Sequence, residues 1–518
     1  MRSSEEDEIV SFLSKPQSFS LAAVQVEIIE THCARVFLVG DDAYKIKKRV
    51  KFPFVDFTSL QSRHAACKRE LELNQPYAPS LYLGLIAITR TPDGHMHLGG
   101  AGETIDWVVH MRRFDQGDLL SSVFEKGVAS KLLPQKLADL VAIYHCRSPA
   151  VSLDGSERMR RVVEGIASEL LALRQFVQRD VAERFRVSAQ RCLSDNAHLL
   201  ADRGISGAMR RCHGDLHLSN IVLIDGEPVP FDALEFSEDL ATIDVLYDLA
   251  FLLMDLDHLG CRAEANAVLN SYVAAAPLGS EIEGLACLPL FLGCRAAIRG
   301  MVTFERAHQS GIANHTKSVA IGNALLSASI GYLKGAAPIA IVIGGLSGSG
   351  KSTLGKNLAP ILGRAPGAIH LRSDVERKRL AGVDEQWRLG PEHYTAKAAE
   401  MIYAHLSRKA AAVIASGHSV VVDAVFARAD ERTAIEDAIS NAGGTFFGLW
   451  LDAPADQLLN RVKNRRGDAS DATEDVVRSQ IDFDLGSITW HQIDASNGAS
   501  QVAADACAAC GIAIARCG

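Results

Sequence analysis

Ile339-Ala-Ile-Val-Ile-Gly-Gly-Leu-Ser-Gly-Ser-Gly-Lys-Ser352 runs five apolar, mostly β-branched residues into a glycine-rich turn. From Gly345 onward it satisfies G-x-x-x-x-G-K-[ST], and the helix-forming Thr353-Leu-Gly-Lys-Asn-Leu-Ala follows directly. Strand, glycine loop and helix in that order form a phosphate cradle. Glycines let successive N–H groups turn toward phosphate oxygens, and the helix N-terminus adds partial positive charge. Gly345, Leu346, Ser347, Gly348, Ser349, Gly350, Lys351, Ser352 and Thr353 are the expected nucleotide contacts. Lys351 is expected to reach the β- and γ-phosphates, and Ser352 a Mg²⁺ ion.

Downstream, strand-like runs Ala368–Leu371, Ser419–Asp423 and Thr445–Leu451 alternate with helical stretches such as Glu392–Ala415, predicting a mostly parallel sheet covered on both faces. Asp374, after the second strand, stands where open α/β sheets bind ligands. It is placed to take the proton of an attacking hydroxyl, or to cap the helix that follows. Asp423 ends Val420-Val-Val-Asp, either as a metal-holding carboxylate or as a plain strand-end turn residue. Arg461, Arg465 and Arg466 lie in a polar stretch reaching Asp471 and read as a lid over transferring phosphate, or as a solvated basic face. With these residues the segment from about 338 to 515 resembles P-loop kinases of the zeta-toxin, gluconate-kinase and chloramphenicol-phosphotransferase type. The resemblance implies that Asp374 contacts substrate and that the three arginines clamp phosphates.

Upstream of Gly331-Tyr-Leu-Lys-Gly-Ala-Ala-Pro338 the pattern changes. The seam predicts a first domain over residues 1–335 and a second over 336–518. Short strand runs with a turn at Gly40-Asp41-Asp42 make a small β-rich lobe of about residues 20–112. Apolar residues at helical spacing, as in Leu137, Leu140, Val141 and Tyr144, make a helical lobe of about 113–330.

Between its helices lies His213-Gly-Asp215-Leu-His217-Leu-Ser-Asn220, which keeps H-x-D-x-x-x-x-N spacing. Asp215 is placed to orient and deprotonate a hydroxyl, and Asn220 and Asp232 supply hard oxygen ligands for Mg²⁺. Glu235 reads equally as metal support or local packing, and His213 and His217 as braces rather than ligands. Such a loop calls for a strand lysine and a helix glutamate. Lys47 and Glu70 are the expected pair, with Lys45 and Glu72 as alternatives. A glycine-rich loop is missing from Glu30-Thr31-His32-Cys33-Ala34, leaving backbone and Thr31 to cover phosphates. The loop matches at every fixed position H-G-D-x-H-x-x-N, so residues 20–330 resemble the aminoglycoside-phosphotransferase branch of the protein-kinase-like fold. That resemblance implies Asp215 as base, Asn220 and Asp232 on metal, and Asp244 and Asp248 as braces. The whole chain resembles fused bacterial proteins that join these two modules: an α+β bilobal kinase-like domain, then an α/β P-loop domain.

With 518 residues, about three structural units are expected. A composition of 48% hydrophobic and 22% charged residues excludes disordered, collagen-like and coiled-coil chains. The net charge of −8 gives no footprint for nucleic acid or an anionic membrane. An acidic start without an apolar segment, together with 11 scattered cysteines, reads as cytoplasmic. Cys507 and Cys510 read as a buried helix face rather than half of a zinc or redox site. The expectation is a phosphotransferase with two sites, using ATP or another nucleoside triphosphate and Mg²⁺, and acting on hydroxyls of small polar metabolites such as sugars, amino sugars or antibiotics. The alternatives are a nucleic-acid end kinase, a toxin-like nucleotide-sugar kinase, and one domain acting as a nucleotide-sensing regulator.

Overall fold

The computed structural model describes residues 5–20, 25–31, 33–52, 55–275, 278–309, 312–465 and 469–512. By density of internal contact the chain divides into two compact units: residues 1–155 with 202–255, and residues 156–201 with 256–518. The partition follows packing and so returns helices upstream of the seam to the second unit.

In the first unit, β1 (Glu27–Glu30), β2 (Ala34–Val39), β3 (Asp42–Lys47), β4 (Tyr82–Arg90), β5 (Met96–Leu98) and β6 (Glu103–Arg112) form one antiparallel sheet in the order β1-β2-β3-β6-β4-β5. Successive strand residues face opposite sides, so each strand feeds two cores. Phe37, Val39, Ile46 and Val108 pack with Ile9 and Leu13 of α1 (Glu5–Leu13) on one side. Leu38, Val109 and Met111 pack with Cys67 of α2 (Leu60–Asn74) on the other. Ile46 therefore faces away from α2, and its neighbours Lys45 and Lys47 face toward it. Ser59 starts α2, its hydroxyl accepting the Ser62 N–H. Further along, β7 (Met209–Arg211) pairs with β10 (Thr242–Asp244). A hairpin joins β8 (Ile221–Ile224) to β9 (Glu227–Pro230). Its Asp225-Gly226 turn has φ of 53° and 77°, the mirror-image turn that fits strand twist.

In the second unit, β11 (Ile339–Gly345), β12 (Ile369–Arg372), β13 (Val420–Asp423), β14 (Thr445–Asp452) and β15 (His491–Asp494) form a sheet in the order β12-β13-β11-β14-β15. Every pairing is parallel. The central strand is buried along nearly its whole length, as a parallel sheet covered on both faces requires. The edge strand β15 has no counterpart in the expectation, because only Ile493 of its four residues is buried. Helices α3 (Arg262–Ala275), α4 (Lys351–Leu358), α5 (Ser373–Leu380), α6 (Ala396–Ala415), α7 (Ala455–Lys463), α8 (Glu474–Ile481) and α9 (Ala499–Ala509) complete what the site needs. Cys507 and Cys510 sit in the sheet's core beside Leu358, Ala359 and Val502.

Glu281–Ala307 is the one stretch, among the described residues, long and apolar enough to cross a membrane by composition. Of its most apolar window, 72% is buried inside the protein, so its hydrophobicity is spent on packing.

Candidate active sites

The first site is built where β3 faces α2. Glu70, fully buried, accepts a hydrogen bond from Lys45 Nζ at 2.8 Å through Oε1 and forms an ion pair with Lys47 Nζ at 2.6 Å through Oε2. Lys45 also reaches Asp232 Oδ1 at 2.5 Å, and Lys47 reaches Glu235 Oε1 at 2.5 Å. Burial opposes charge on both lysines, but the carboxylates win and hold each ammonium above its usual range. The expected Lys47–Glu70 contact exists, yet Lys45 is the lysine that faces Asp232, the carboxylate expected to hold metal. Glu72 is turned outward to Lys68 and Arg69, and Glu235 packs on Lys47.

Asp232 sits at φ 60°, a backbone conformation uncommon for a non-glycine residue. It is anchored by its N–H donating to the Tyr82 hydroxyl at 3.0 Å, and the next N–H, of Ala233, donates to Asn74 Oδ1 at 2.9 Å. Asn220 Nδ2 donates to Asp215 Oδ2 and to its carbonyl, both at 3.0 Å. Its amide oxygen is the atom left to ligate a cation.

Asp248, buried, accepts the N–H groups of His213 and Gly214 at 3.2 and 2.9 Å, and Asp255 accepts that of Leu218 at 2.9 Å. Asp244 instead takes both 2.7 Å bonds from Arg203. His213 Nε2 lies 3.0 Å from the Phe231 carbonyl, and His217 Nε2 lies 3.4 Å from Asp215 Oδ2. Burial lowers the His213 pKa despite Asp248 and Asp215, which suits a neutral brace. The Thr31 hydroxyl is bonded to Ala34 across the β1–β2 turn, and His32 lies outside the described residues.

The second site opens at the carboxyl ends of β11 to β14, in a cavity of about 1030 Å³. Gly348 and Gly350 have φ of 87° and 96°, and Gly350 caps α4. A Cβ on Gly348 would stand 2.6 Å from the Leu458 carbonyl oxygen, so only glycine fits. Lys351 Nζ donates to the Gly345 and Leu346 carbonyls at 2.8 and 2.9 Å. Burial pushes its ammonium down to about 8, against Asp423 and Asp374. Ser352 Oγ donates to Asp423 Oδ1 at 3.1 Å. Burial would raise Asp423, but His370, Arg372 and Lys351 hold its carboxyl below the usual value.

Asp374 does not cap α5; Arg372 holds the N-cap position. The Asp374 carboxyl is raised by burial, with Ser470 opposing and Asp423 reinforcing, and it lines the cavity. Arg461 and Arg465 line it too, but Arg461 donates to the Ala495 carbonyl at 2.8 Å. Arg465 Nη1 is buried without a hydrogen-bond partner among the described residues. Arg466 lies outside them. Beyond the arginines, Asp471 is pinned by Lys378 Nζ at 3.1 Å and the Tyr394 hydroxyl at 2.7 Å. Sequence reasoning missed three side chains. Gln480 Oε1 accepts the Ser347 N–H at 2.8 Å, Arg377 stacks 5.0 Å from the Tyr394 ring centre, and His370 binds Asp423 at 2.7 Å. None belongs to a local motif; each reaches the site from a different helix or strand.

The donor sets fit a magnesium nucleotide. Asn220 and Asp232 in one unit, and Ser352 and Asp423 in the other, offer the hard oxygen donors that Mg²⁺ prefers. In the second unit they stand beside a glycine loop at a helix N-terminus, with the buried Ser349 hydroxyl lacking a partner among the described residues.

Residues 105–285 match the family model described as Phosphotransferase enzyme family, and residues 341–484 match the one described as AAA domain. Proteins of Mycobacterium tuberculosis and Mycobacterium bovis, both described as uncharacterized, are 29% identical over 484 residues, covering 90% of this chain and 92% of theirs. Among solved structures, a GDP complex of an aminoglycoside 2'-phosphotransferase-IIIa variant is 14% identical, covering 63% of this chain and 99% of its own, with a TM-score of 0.39. A gluconokinase from Sinorhizobium meliloti is 21% identical, covering 34% and 93%, with a TM-score of 0.25. By the two family matches the chain carries an N-terminal phosphotransferase-family domain and a C-terminal AAA-type domain with a P-loop.

Proposed function

We propose, for a phosphotransferase that carries these two domains, that each holds its own nucleotide site and transfers the γ-phosphate of ATP to a hydroxyl of a small polar metabolite. The observation that carries this reading is that each unit gathers a complete set of its own: a lysine for phosphate, oxygen donors for a divalent cation, and a carboxylate for the acceptor's proton. In the first unit Lys45, held by Glu70, positions the α- and β-phosphates, with Lys47 setting Glu70 and Glu235. Asn220 and Asp232 hold the cation, and Asp215 takes the acceptor proton. In the second unit the loop Gly345–Thr353 cradles phosphates, Lys351 reaches the transferred group, and Ser352 and Asp423 hold the cation. Asp374, with its carboxyl raised by burial, is the proton acceptor, and Arg465 supplies charge to the phosphoryl group in flight. A Mg²⁺ ion held by these residues would supply positive charge to offset that of the phosphates. Acceptors are small and polar, nucleic acid is disfavoured by the net charge of −8, and the protein works in the cytoplasm.

A screen of a metabolite extract with labelled ATP tests this. Wild type, Asp215→Ala and Lys351→Ala are compared, and each variant is expected to lose a different product. If Asp215→Ala leaves every product unchanged, the first domain is not a catalyst.

A further inference from the structure

The outermost strand β12 has a strand neighbour on one side only, β13. A bare sheet edge leaves alternate N–H and C=O groups unpaired. On the open side of β12 the Asn270 side chain, from α3, accepts the His370 N–H at 2.7 Å and donates to the Ala368 carbonyl at 3.2 Å. Those two groups flank residue 369, and in a parallel ladder they are the pair that the N–H and C=O of one residue on a neighbouring strand satisfy. The Asn270 carboxamide carries the same donor and acceptor and takes the place of that residue. Asn266, buried, adds a second donor to the Ala368 carbonyl at 3.0 Å, and Arg262 Nε donates to the Pro360 carbonyl at 3.0 Å.

The strand held in this way carries His370. Its Nε2 lies 2.7 Å from Asp423 Oδ2, while the other oxygen, Oδ1, accepts from Ser352. The ring also lies against α4, where a Cβ on Gly355 would stand 2.3 Å from Nε2. Asn270 thus fixes the backbone of His370, Gly355 leaves room for its ring, and its nitrogen occupies one oxygen of Asp423. The second oxygen is left toward Ser352.

We propose that α3 is a working part of the P-loop site: Asn270, through β12 and His370, sets the Asp423 oxygen that would hold the metal with Ser352. Asn270 and His370 are positioning residues, and the inference rests on the reading of Ser352 and Asp423 as the metal pair. Helix α3 lies within residues 105–285, the span of the phosphotransferase-family match, yet packs in the second compact unit. Metal binding at the C-terminal site therefore depends on a helix from upstream of the seam.

The test uses the full chain with the first site silenced by Asp232→Asn. Binding of Mn²⁺ in the presence of a non-hydrolysable ATP analogue is followed by loss of the free-ion electron paramagnetic resonance signal. Asn270→Ala and His370→Ala are each expected to weaken Mn²⁺ binding about 10-fold, the usual cost of losing a group that orients a ligand. His370→Gln, which keeps an N–H donor, is expected to restore most of it. Binding of the analogue without metal is expected to stay at the level of the parent chain, and amide exchange at residue 370 to rise in Asn270→Ala. If both alanine variants bind Mn²⁺ like the parent while Ser352→Ala does not, the inference is overturned and the P-loop reading stands. If Ser352→Ala and Asp423→Asn also bind Mn²⁺ like the parent, the reading of the metal pair itself falls.

Discussion

Glu70 answers two buried ammonium groups with one carboxylate, and its neighbours Asp232 and Glu235 close the set. Removing one partner of such a buried arrangement leaves charge stranded in a low-dielectric site, which costs about 3–5 kcal/mol. Glu70→Gln is therefore expected to lower the urea midpoint by that equivalent without changing the slope of the transition. Glu72→Gln removes only exposed contacts to Lys68 and Arg69 and is expected to stay within about 0.5 kcal/mol of wild type. The pair separates the two glutamates that spacing alone left open. From the sequence, Lys45 and Lys47 share a face by strand alternation, and either fits a kinase lysine. What distinguishes them is Asp232, 187 residues away from Lys45 along the chain, and no local pattern encodes that contact.

At the scale of the element, the phosphate loop is the most legible part of the molecule. Its glycines stand where the backbone turns left-handed or meets another chain segment. Gly348→Ala is expected to abolish nucleotide binding at the second site, because its Cβ would meet the Leu458 carbonyl and φ of 87° disfavours any side chain. Calorimetric titration with magnesium nucleotide of the full chain carrying Asp232→Asn, which silences the first site, with and without Gly348→Ala, checks this. His418, just before β13, makes a pH prediction. It is buried, its Nε2 lies 2.8 Å from the Gly367 carbonyl, and burial pushes its pKa down from 6.5 to about 4. The unfolded chain takes up the proton near 6.5 and the folded one does not until about 4, so stability is full above 6.5 and falls as pH drops through that window. The loss amounts to about 3 kcal/mol by pH 4, of which about 2 kcal/mol falls between pH 7 and pH 5. Denaturant melts at pH 7 and pH 5 are expected to show this dependence in wild type and to show it removed in His418→Gln. The edge strand β15 was less legible, because a strand with one buried residue in four has no periodicity to read.

On the scale of the whole molecule, two sites in two compact units predict independent catalysis. An Asp215→Ala, Lys351→Ala double variant is expected to lose the sum of the products lost by the single variants, and each single variant to leave the other product's rate within about twofold, as for independent sites whose effects add. Quantitative product analysis of the four proteins checks it. The order of modules, the phosphate loop and the loop from His213 to Asn220 were readable directly, because a nucleotide's phosphates demand particular residue types at short spacing and local sequence carries short spacing. Which lysine faces Asp232, that His370 holds Asp423, and that α3 supplies a missing strand's hydrogen bonds to β12 were decided only by tertiary structure. Those contacts join residues tens to nearly two hundred positions apart, and they exist only after packing has brought separate strands and helices face to face.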